Sequence, residues 1–250
     1  MTSEIVLLCA MGKERLAVHS ALETLAPSIE LVEVHLVEQA PFASYRYTVR
    51  LANSQTSYAF HLIETGIGKV HAALATQQAI TKYHPKLLVN VGVSGGLYDG
   101  ARVGDICLST SYRYHDVWCG TGNEPGQVQG LPAQFTAESR SVAEVAQELS
   151  IPIREGLLLC GDTFIPDADH LRSFAQQYPD LVAVDMESAA IAQTAYLYGT
   201  PLVSLRIVSD TPLTSQNHSK QYSSFWQDRE LSLGSFADAM RIICTLLGQL

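Results

Sequence analysis

Residues 57–96 read SYAFHLIETGIGKVHAALATQQAITKYHPKLLVNVGVSGG, and this stretch decides the fold class. Ser57–Glu64 is predicted to be a strand, and Lys69–Tyr83 is predicted to be a helix with an apolar face. Leu87–Val91 is short and continuously apolar, which is typical of a buried strand. Each of the two strands runs into a glycine-rich segment, Gly66-Ile67-Gly68 after the first and Gly92–Gly96 after the second. A strand, a helix and a strand in succession indicate an α/β sheet.

The rest of the chain continues this alternation, and no linker, repeat or low-complexity run divides it. The further predicted strands are Glu4–Ala10, Asp105–Ser111, Gly156–Cys160, Leu181–Val184 and Leu202–Val208, and the further predicted helices are Lys13–Leu25, Ser141–Leu149, Glu187–Tyr198 and a last helix carrying Phe236, Met240, Ile243 and Leu247. Gly120–Pro132 is predicted to be an exposed loop. We therefore predict one α/β domain over residues 1–250, with helices on both faces of a central mixed, twisted sheet in three layers.

Composition excludes several classes of protein. The 250 residues are 47% hydrophobic and 16% charged, which suits a chain with a large core, and the net charge of −9 disfavours nucleic-acid binding. No run of about 18 uninterrupted apolar residues is present, and the N-terminus lacks a basic segment, so we expect no membrane span and no signal peptide. Five widely spaced cysteines suit reduced thiols, and we expect a cytoplasmic protein.

Two glycine-rich motifs resemble known phosphate or nucleophile sites but do not complete them. Gly66–His71 begins like a dinucleotide fingerprint, yet its sixth position is histidine, and Ile63 stands where a P-loop needs glycine. Gly92–Gly96 matches the hydrolase pattern G-x-S-x-G, but it leads through Leu97–Ala101 towards a strand instead of a helix. We interpret the first motif as a turn and the second as a strand end where backbone amides approach a ligand.

The histidines do not indicate a metal site. None of the eight is part of an H-x-x-x-H pair, and none lies near a pair of cysteines. The histidine of Tyr114-His115-Asp116 is interpreted as a structural hydrogen-bonding group. We expect neither a metal nor a cofactor.

Three carboxylates follow predicted strands and are the stronger indication of chemistry. Glu14 lies in the first turn of a helix after the first strand, Glu187 starts another helix, and Asp210 ends an apolar strand. Each has a simpler interpretation, as a helix-dipole charge, a helix cap or a cap of the turn at Thr211. Ligands of α/β sheets bind at the carboxyl ends of strands, where all three would converge. Three acids in one pocket suggest acid–base catalysis on a bond that breaks through a cationic transition state.

At these residues the chain resembles the 5′-methylthioadenosine/S-adenosylhomocysteine nucleosidases of the purine nucleoside phosphorylase superfamily. The matching motifs are Ala10-Met11-x-x-Glu14, Gly66-Ile67-Gly68-Lys69-Val70, Asn90-x-Gly92-x-x-Gly95-Gly96, Val103-Gly104-Asp105-Ile106, Tyr114-His115-Asp116, Gly161-Asp162-x-Phe164-Ile165, Val184-x-Met186-Glu187 and Arg206-x-x-Ser209-Asp210. The ordered set spans nearly the whole chain.

The resemblance implies a role for each matching residue. Glu14 would activate the attacking water, and Asp210 would protonate the leaving purine at N7. The implied substrate-binding residues are Glu187 and Met186 at the ribose, Phe164 stacked on the base, the Ile165 backbone at the base edge, Arg206 positioning Glu187, and Met11 and Val93 in the pocket. The expected reaction is hydrolysis of the N-glycosidic bond of an adenine nucleoside, releasing adenine. The family is typically homodimeric, so we expect a homodimer that acts on a small-molecule nucleoside.

The chain also departs from the family pattern. Val93 stands where serine is usual, Gly12-Lys13 replaces an acidic run, and Val117-Trp118-Cys119 introduces an aromatic residue. The segment Thr211–Trp226 is longer than usual. The aromatic residue expected there is either Tyr222 or Phe225.

Three alternatives to this function stay open. A phosphorylase would carry arginines that Asn90-Val91-Gly92 and Met11-Gly12-Lys13 lack, so water is favoured as the nucleophile. A nucleosidase for another purine nucleoside, such as futalosine, fits the same motifs. Val93 leaves open a catalytically inactive purine-binding protein.

Overall fold

The computed structural model describes residues 4–52, 54–164, 168–214 and 217–250. Its strands are β1 (Ile5–Cys9), β2 (Ile29–Glu38), β3 (Ser44–Leu51), β4 (Ser57–Glu64), β5 (Leu87–Gly96), β6 (Ile106–Tyr114), β7 (Phe135–Thr136), β8 (Arg154–Cys160), β9 (Leu181–Asp185) and β10 (Leu202–Asp210). Its helices are α1 (Gly12–Thr24), α2 (Lys69–Tyr83), α3 (Arg140–Glu148), α4 (Ala168–Gln177), α5 (Ser188–Tyr198), α6 (His218–Gln227) and α7 (Arg229–Gln249).

The strands form one mixed sheet, as predicted. Strand β1 pairs in parallel with β4 and β5, and β5 pairs in parallel with β10, whereas β2, β3 and β4 form an antiparallel meander. Strand β9 pairs antiparallel with the glycine-rich end of β5 and parallel with β8, and β6 joins β8 to β10. These pairings close part of the sheet into a ring through β5, β10, β6, β8 and β9.

Helices cover both faces of the sheet, which confirms the three-layer prediction. All five residues of β1 are fully buried. Because successive strand side chains point to opposite faces, Ile5, Leu7 and Cys9 pack in one core with α1, α3 and α7. Val6 and Leu8 pack on the other face in a second core with α2 and α5. The continuously apolar run predicted for a strand covered on both faces is therefore confirmed.

Several elements differ from the prediction. The hairpin of β2 and β3 and the helices α4 and α6 were not predicted. Gly92–Gly96 was expected to follow a strand, but β5 continues through Gly96, and β10 continues to Asp210. The glycine-rich end of β5 is hydrogen-bonded to β10 and β9, so its backbone stays in the extended conformation of a strand. The sequence does not show this, because the apolar side chains that mark the strand end before these glycines.

In the described part of the chain, one helix, α7, is long and apolar enough to span a membrane. More than half of its apolar window, 56%, is buried inside the protein. Phe236, Met240 and Ile243 of α7 belong to the core beneath the sheet. Burial in the core accounts for its apolar character.

Candidate active site

A cavity of about 390 Å³ opens at the carboxyl ends of β1, β5, β9 and β10. Its lining residues are Ala10, Met11, Glu14, Ile67, Val93, Ser94, Gly95, Phe164, Val184, Asp185, Met186, Glu187, Arg206, Ser209, Asp210, Ser219, Tyr222 and Ser223. Eight of the nine residues predicted for the site are among them. The ninth, Ile165, lies outside the described residues. The cavity lies where ligands bind in open α/β sheets.

Glu14 is completely buried in the first turn of α1 and is held by three backbone N–H groups. Its Oε2 accepts hydrogen bonds from Ala10 N at 2.8 Å and Met11 N at 3.0 Å, and its Oε1 accepts one from Val93 N at 2.9 Å. Burial raises the pKa of this carboxyl, while Arg206 and the three N–H groups oppose the rise. Glu14 therefore accepts hydrogen bonds from backbone N–H groups at the start of α1 and also lines the cavity with its carboxyl group.

Position 92 requires a glycine because the side chains of Glu14 and Arg206 both approach its backbone closely. A Cβ built at this position would overlap Glu14 Oε1 and Arg206 Nη1. Any side chain there would push the carboxylate and the guanidinium apart. The glycine therefore lets β5 bring Glu14 and Arg206 together from different elements.

Arg206 is buried in β10 and contacts three polar side chains. Its Nε lies 3.2 Å from Asp185 Oδ2, and its Nη2 lies 3.5 Å from Glu187 Oε2. Its Nη1 donates to Asn90 Oδ1 at 3.1 Å. A buried arginine needs such partners, because an unpaired buried charge is costly. The guanidinium is thereby fixed between two acids of the cavity.

Asp185 and Asn90 were not among the predicted site residues. Asp185 Oδ1 accepts the backbone N–H of Ser188 at 3.0 Å, so this acid caps α5 as well as pairing with Arg206. Asn90 donates to Ser188 Oγ at 2.8 Å and to Ser204 Oγ at 3.3 Å. The sequence could have indicated both residues. Asn90 is a polar residue within the apolar predicted strand Leu87–Val91, and Asp185 directly follows the apolar predicted strand Leu181–Val184.

Glu187 occupies the N-cap position of α5, but its side chain makes no capping hydrogen bond, so the interpretation of this carboxylate as a helix cap is wrong. Its Oε1 accepts the backbone N–H of Gly68 at 2.9 Å, from the turn before α2. Burial and then the charge of Asp185 raise the pKa of Glu187 to about 7, against the opposing effect of Arg206. The turn at Gly66-Ile67-Gly68 thus has a site role that the sequence did not reveal.

Asp210 is the last residue of β10 and has two side-chain partners. Its Oδ1 accepts from Ser209 Oγ at 2.8 Å, and its Oδ2 lies 3.3 Å from His218 Nδ1. Burial raises its pKa, and the two partners oppose the rise. The backbone N–H of Thr211 donates instead to Gln221 Oε1 at 3.0 Å. The alternative in which Asp210 caps the turn at Thr211 is therefore wrong.

Tyr222 is the aromatic residue of the 211–226 segment that faces the cavity. Its hydroxyl lies 3.6 Å from Met11 Sδ, and Lys13 Nζ lies 4.3 Å from its ring centroid. Phe225 is 1% exposed and belongs to the core. Phe164, in contrast, is 50% exposed and presents a ring at the cavity.

In the part of the chain that the structure describes, no group of three His, Cys, Asp or Glu side chains is arranged to hold a metal ion. Among the described cavity residues, the acids are Glu14, Asp185, Glu187 and Asp210, and Arg206 is the one lysine or arginine. The carboxyl groups of the cavity are therefore the side chains that could accept or donate protons in a reaction.

Comparison with known proteins places this chain and its fold in a family. The model of the phosphorylase superfamily matches residues 4–245. The chain belongs to this superfamily. Within the superfamily, a 5′-methylthioadenosine/S-adenosylhomocysteine nucleosidase of Bacillus pumilus (strain SAFR-032) is 41% identical over 154 residues, which are 60% of this chain and 67% of that protein. The resemblance inferred from the motifs is confirmed.

Solved structures agree with this placement. The 5′-methylthioadenosine/S-adenosylhomocysteine nucleosidase of Colwellia psychrerythraea 34H, in complex with adenine, is 27% identical with a TM-score of 0.78, and the match covers 100% of this chain and 96% of that one. The futalosine hydrolase of Helicobacter pylori strain 26695 is 21% identical with a TM-score of 0.79, covering 98% and 99%. The second likeness shows the shared fold.

Proposed function

We propose that this phosphorylase-superfamily chain is a nucleosidase that hydrolyses the N-glycosidic bond of an adenine nucleoside. The substrate class is that of 5′-methylthioadenosine or S-adenosylhomocysteine, and the released base is adenine. The nucleosidase relatives and the adenine complex of one of them support this class of substrate.

The observation that carries the proposal is the balance of charge in the cavity. A phosphorylase must bind phosphate, which requires cationic groups that are free to meet it. Arg206 is already paired with Asp185 and Glu187. The ammonium group of Lys13 lies over the rings of Tyr222 and Trp226, 4.3 and 4.7 Å from their centroids. A cavity with four acids and a committed arginine favours water over phosphate as the nucleophile.

Glu14 is suited to accept a proton from that water. An ionised carboxylate offers about four lone-pair sites. Three of them receive the N–H groups of Ala10, Met11 and Val93, two on Oε2 and one on Oε1. The remaining site is on Oε1. The attacking water would therefore bind at Oε1 of Glu14, whose orientation the backbone fixes in advance.

Asp210 supplies the acid on the leaving side. Adenine is a poor leaving group unless it is protonated, and a carboxyl with a raised pKa keeps a proton available for N7. Glu187 would hold the ribose hydroxyls, and its charge would stabilise the cationic sugar in the transition state. Arg206 would position Glu187.

The remaining predicted residues form the walls. Phe164 would stack on the base, Met186 would lie against the sugar, and Met11 and Val93 line the same cavity. Contact between the base edge and the backbone of Ile165 is part of the proposal, although Ile165 lies outside the described residues.

We also propose a homodimer located in the cytoplasm. Three apolar side chains in the turn before α2 and in its first two turns are exposed: Ile67 by 52%, Val70 by 70% and Leu74 by 55%. Such a patch favours association with a second copy. Free thiols, four of them buried, are compatible with a reducing compartment. Sedimentation of the purified protein tests the dimer.

A panel of nucleosides with and without phosphate tests the function. 5′-Methylthioadenosine or S-adenosylhomocysteine should release adenine at the same rate in both buffers, and the other product should be the free sugar. A strict phosphate requirement or a sugar 1-phosphate product would contradict hydrolysis. Futalosine belongs in the panel, because preferential cleavage of futalosine would replace the proposed substrate.

A further inference from the structure

His218 contacts the proposed acid and the proposed base-stacking ring, and no role has been assigned to it. This residue begins α6. Its Nδ1 lies 3.3 Å from Asp210 Oδ2, and its ring stacks on Phe164 with centroids 5.1 Å apart and planes 23° apart. The side chain is 12% exposed. The imidazole is therefore largely enclosed between these two groups.

These two contacts are the ones that a purine needs in this site. A purine contains a fused imidazole ring, with a nitrogen at its edge and an aromatic face. The proposed reaction requires that nitrogen to meet Asp210 and that face to meet Phe164. His218 presents the same chemical features, an imidazole nitrogen and an imidazole face, to the same two partners.

Asp210 can donate its proton to only one of the two rings at a time. When Asp210 is protonated and Oδ1 accepts the hydroxyl of Ser209, the single O–H donor of the acid lies on Oδ2, the oxygen that faces His218 Nδ1. Beside Phe164, Asp210 and His218 lies a compartment of about 50 Å³. A compartment of this size is too small for a purine, so a base would reach Asp210 and Phe164 from the main cavity of about 390 Å³, which both residues line.

We propose that His218 occupies the position of the base in the free enzyme and competes with the purine for Asp210 and Phe164. The inference rests on the proposed function, because the competitor is the leaving base. Binding then requires the imidazole to leave, so the apparent dissociation constant is the intrinsic one divided by the fraction of enzyme with the ring displaced. His218 thereby favours bases that bind Asp210 and Phe164 better than an imidazole does.

Calorimetric titration of adenine into the purified full-length protein tests the competition. His218→Ala should bind adenine about 5-fold or more tightly than wild type, because no ring must be displaced. His218→Phe keeps stacking on Phe164 but not the contact with Asp210, and it should lie between the two. Lys220→Ala, an exposed substitution on the same helix, is the matched control and should bind as wild type does. Unchanged or weaker binding by His218→Ala overturns the inference.

A second measurement uses the wild-type protein and does not depend on how a variant folds. The imidazole NMR signals of His218, assigned by their loss in His218→Asn, should move towards those of a solvent-exposed histidine when adenine is added. Signals that stay in place at saturating adenine overturn the inference. Its failure is separable from that of the proposed function, because adenine release from 5′-methylthioadenosine is measured independently. An active enzyme with an immobile His218 contradicts the competition alone.

Discussion

Glu14 accepts the backbone N–H of Val93 through Oε1 at 2.9 Å. Residue 93 therefore holds the proposed base through its main chain, and its side chain is not needed for this contact. The valine side chain is buried and packs in the core. The replacement of the usual serine thus leaves the anchoring of Glu14 intact, which argues against a catalytically inactive protein.

Val93→Ser should change turnover little. We expect kcat within about 3-fold of wild type, because the backbone N–H to Glu14 is retained. The free energy of unfolding should fall by about 1–2 kcal/mol, since buried methyl groups are replaced by a hydroxyl. Steady-state kinetics and chemical denaturation measure the two effects. A large rise in kcat would instead show that the hydroxyl is needed at this position.

Glu14→Gln should abolish most activity and also weaken the fold. Turnover should fall by about 100-fold or more, the scale expected for a lost general base. Both Glu14 oxygens accept backbone N–H groups, so the NH₂ of glutamine must face at least one of these donors. The free energy of unfolding should therefore fall by about 1–3 kcal/mol.

Glu64→Gln is the control for the Glu14 substitution. Glu64 pairs with Arg15 at 2.5 Å and does not line the cavity. Its replacement should leave turnover near that of wild type. If Glu14→Gln keeps turnover within a few-fold of wild type, Glu14 is a helix-terminal charge and not the base.

Glu187→Gln should stabilise the protein increasingly as the pH rises. The pKa of Glu187 is about 7 in the folded chain and 4.5 in a model peptide, so the native state holds this proton more tightly than the unfolded state. The contribution of Glu187 to the free energy of unfolding therefore falls as the pH rises from 4.5 through 7, and glutamine removes this pH dependence. The variant should gain up to about 3 kcal/mol over wild type between pH 4.5 and 8. Melting temperatures at several pH values measure the gain, and a constant difference contradicts it.

The convergence of Glu14, Glu187 and Asp210 could be predicted from the sequence. Glu14 and Asp210 lie at the carboxyl ends of β1 and β10, which meet at one edge of the sheet because both strands run parallel to β5. Glu187 joins them for a different reason, since β9 runs antiparallel to β5 and pairs only with its glycine-rich end. The family resemblance implied that Arg206 positions Glu187, but the pairing of Arg206 with Asp185 could not be predicted. Asp185 and Glu187 are two residues apart, and the sequence does not show that one caps α5 while the other reaches Gly68.

The missed elements have physical reasons as well. Strand β2 lies at the edge of the sheet and exposes Val32, Leu36 and Val37, so it lacks the burial pattern of a core strand. Helix α6 consists mostly of serine, histidine and aromatic residues, which are weaker helix formers than alanine or leucine. Its stability comes from the local cap at Asn217 and from burial of Phe225, and the second of these depends on the folded surroundings.

Asp210→Asn distinguishes a proton donor from a structural carboxylate. Asparagine can accept from Ser209 Oγ and can hydrogen-bond a purine, but it cannot deliver a proton. Turnover should therefore fall by about 100-fold or more while adenine still binds. Because burial raises the pKa of Asp210, ionising it costs stability, and the variant should be as stable as wild type or more stable at pH 8.

Asp228→Asn is the matched control, because Asp228 caps α7 by accepting the backbone N–H of Leu231 at 3.0 Å. Asparagine caps a helix as well as aspartate does, so this variant should keep both turnover and melting temperature. If Asp210 were structural in the same way, Asp210→Asn would behave like Asp228→Asn. Kinetics and melting curves of the two variants separate the cases. If Asp210→Asn turns over within a few-fold of wild type, Asp210 does not protonate the leaving purine, and the proposed mechanism is overturned.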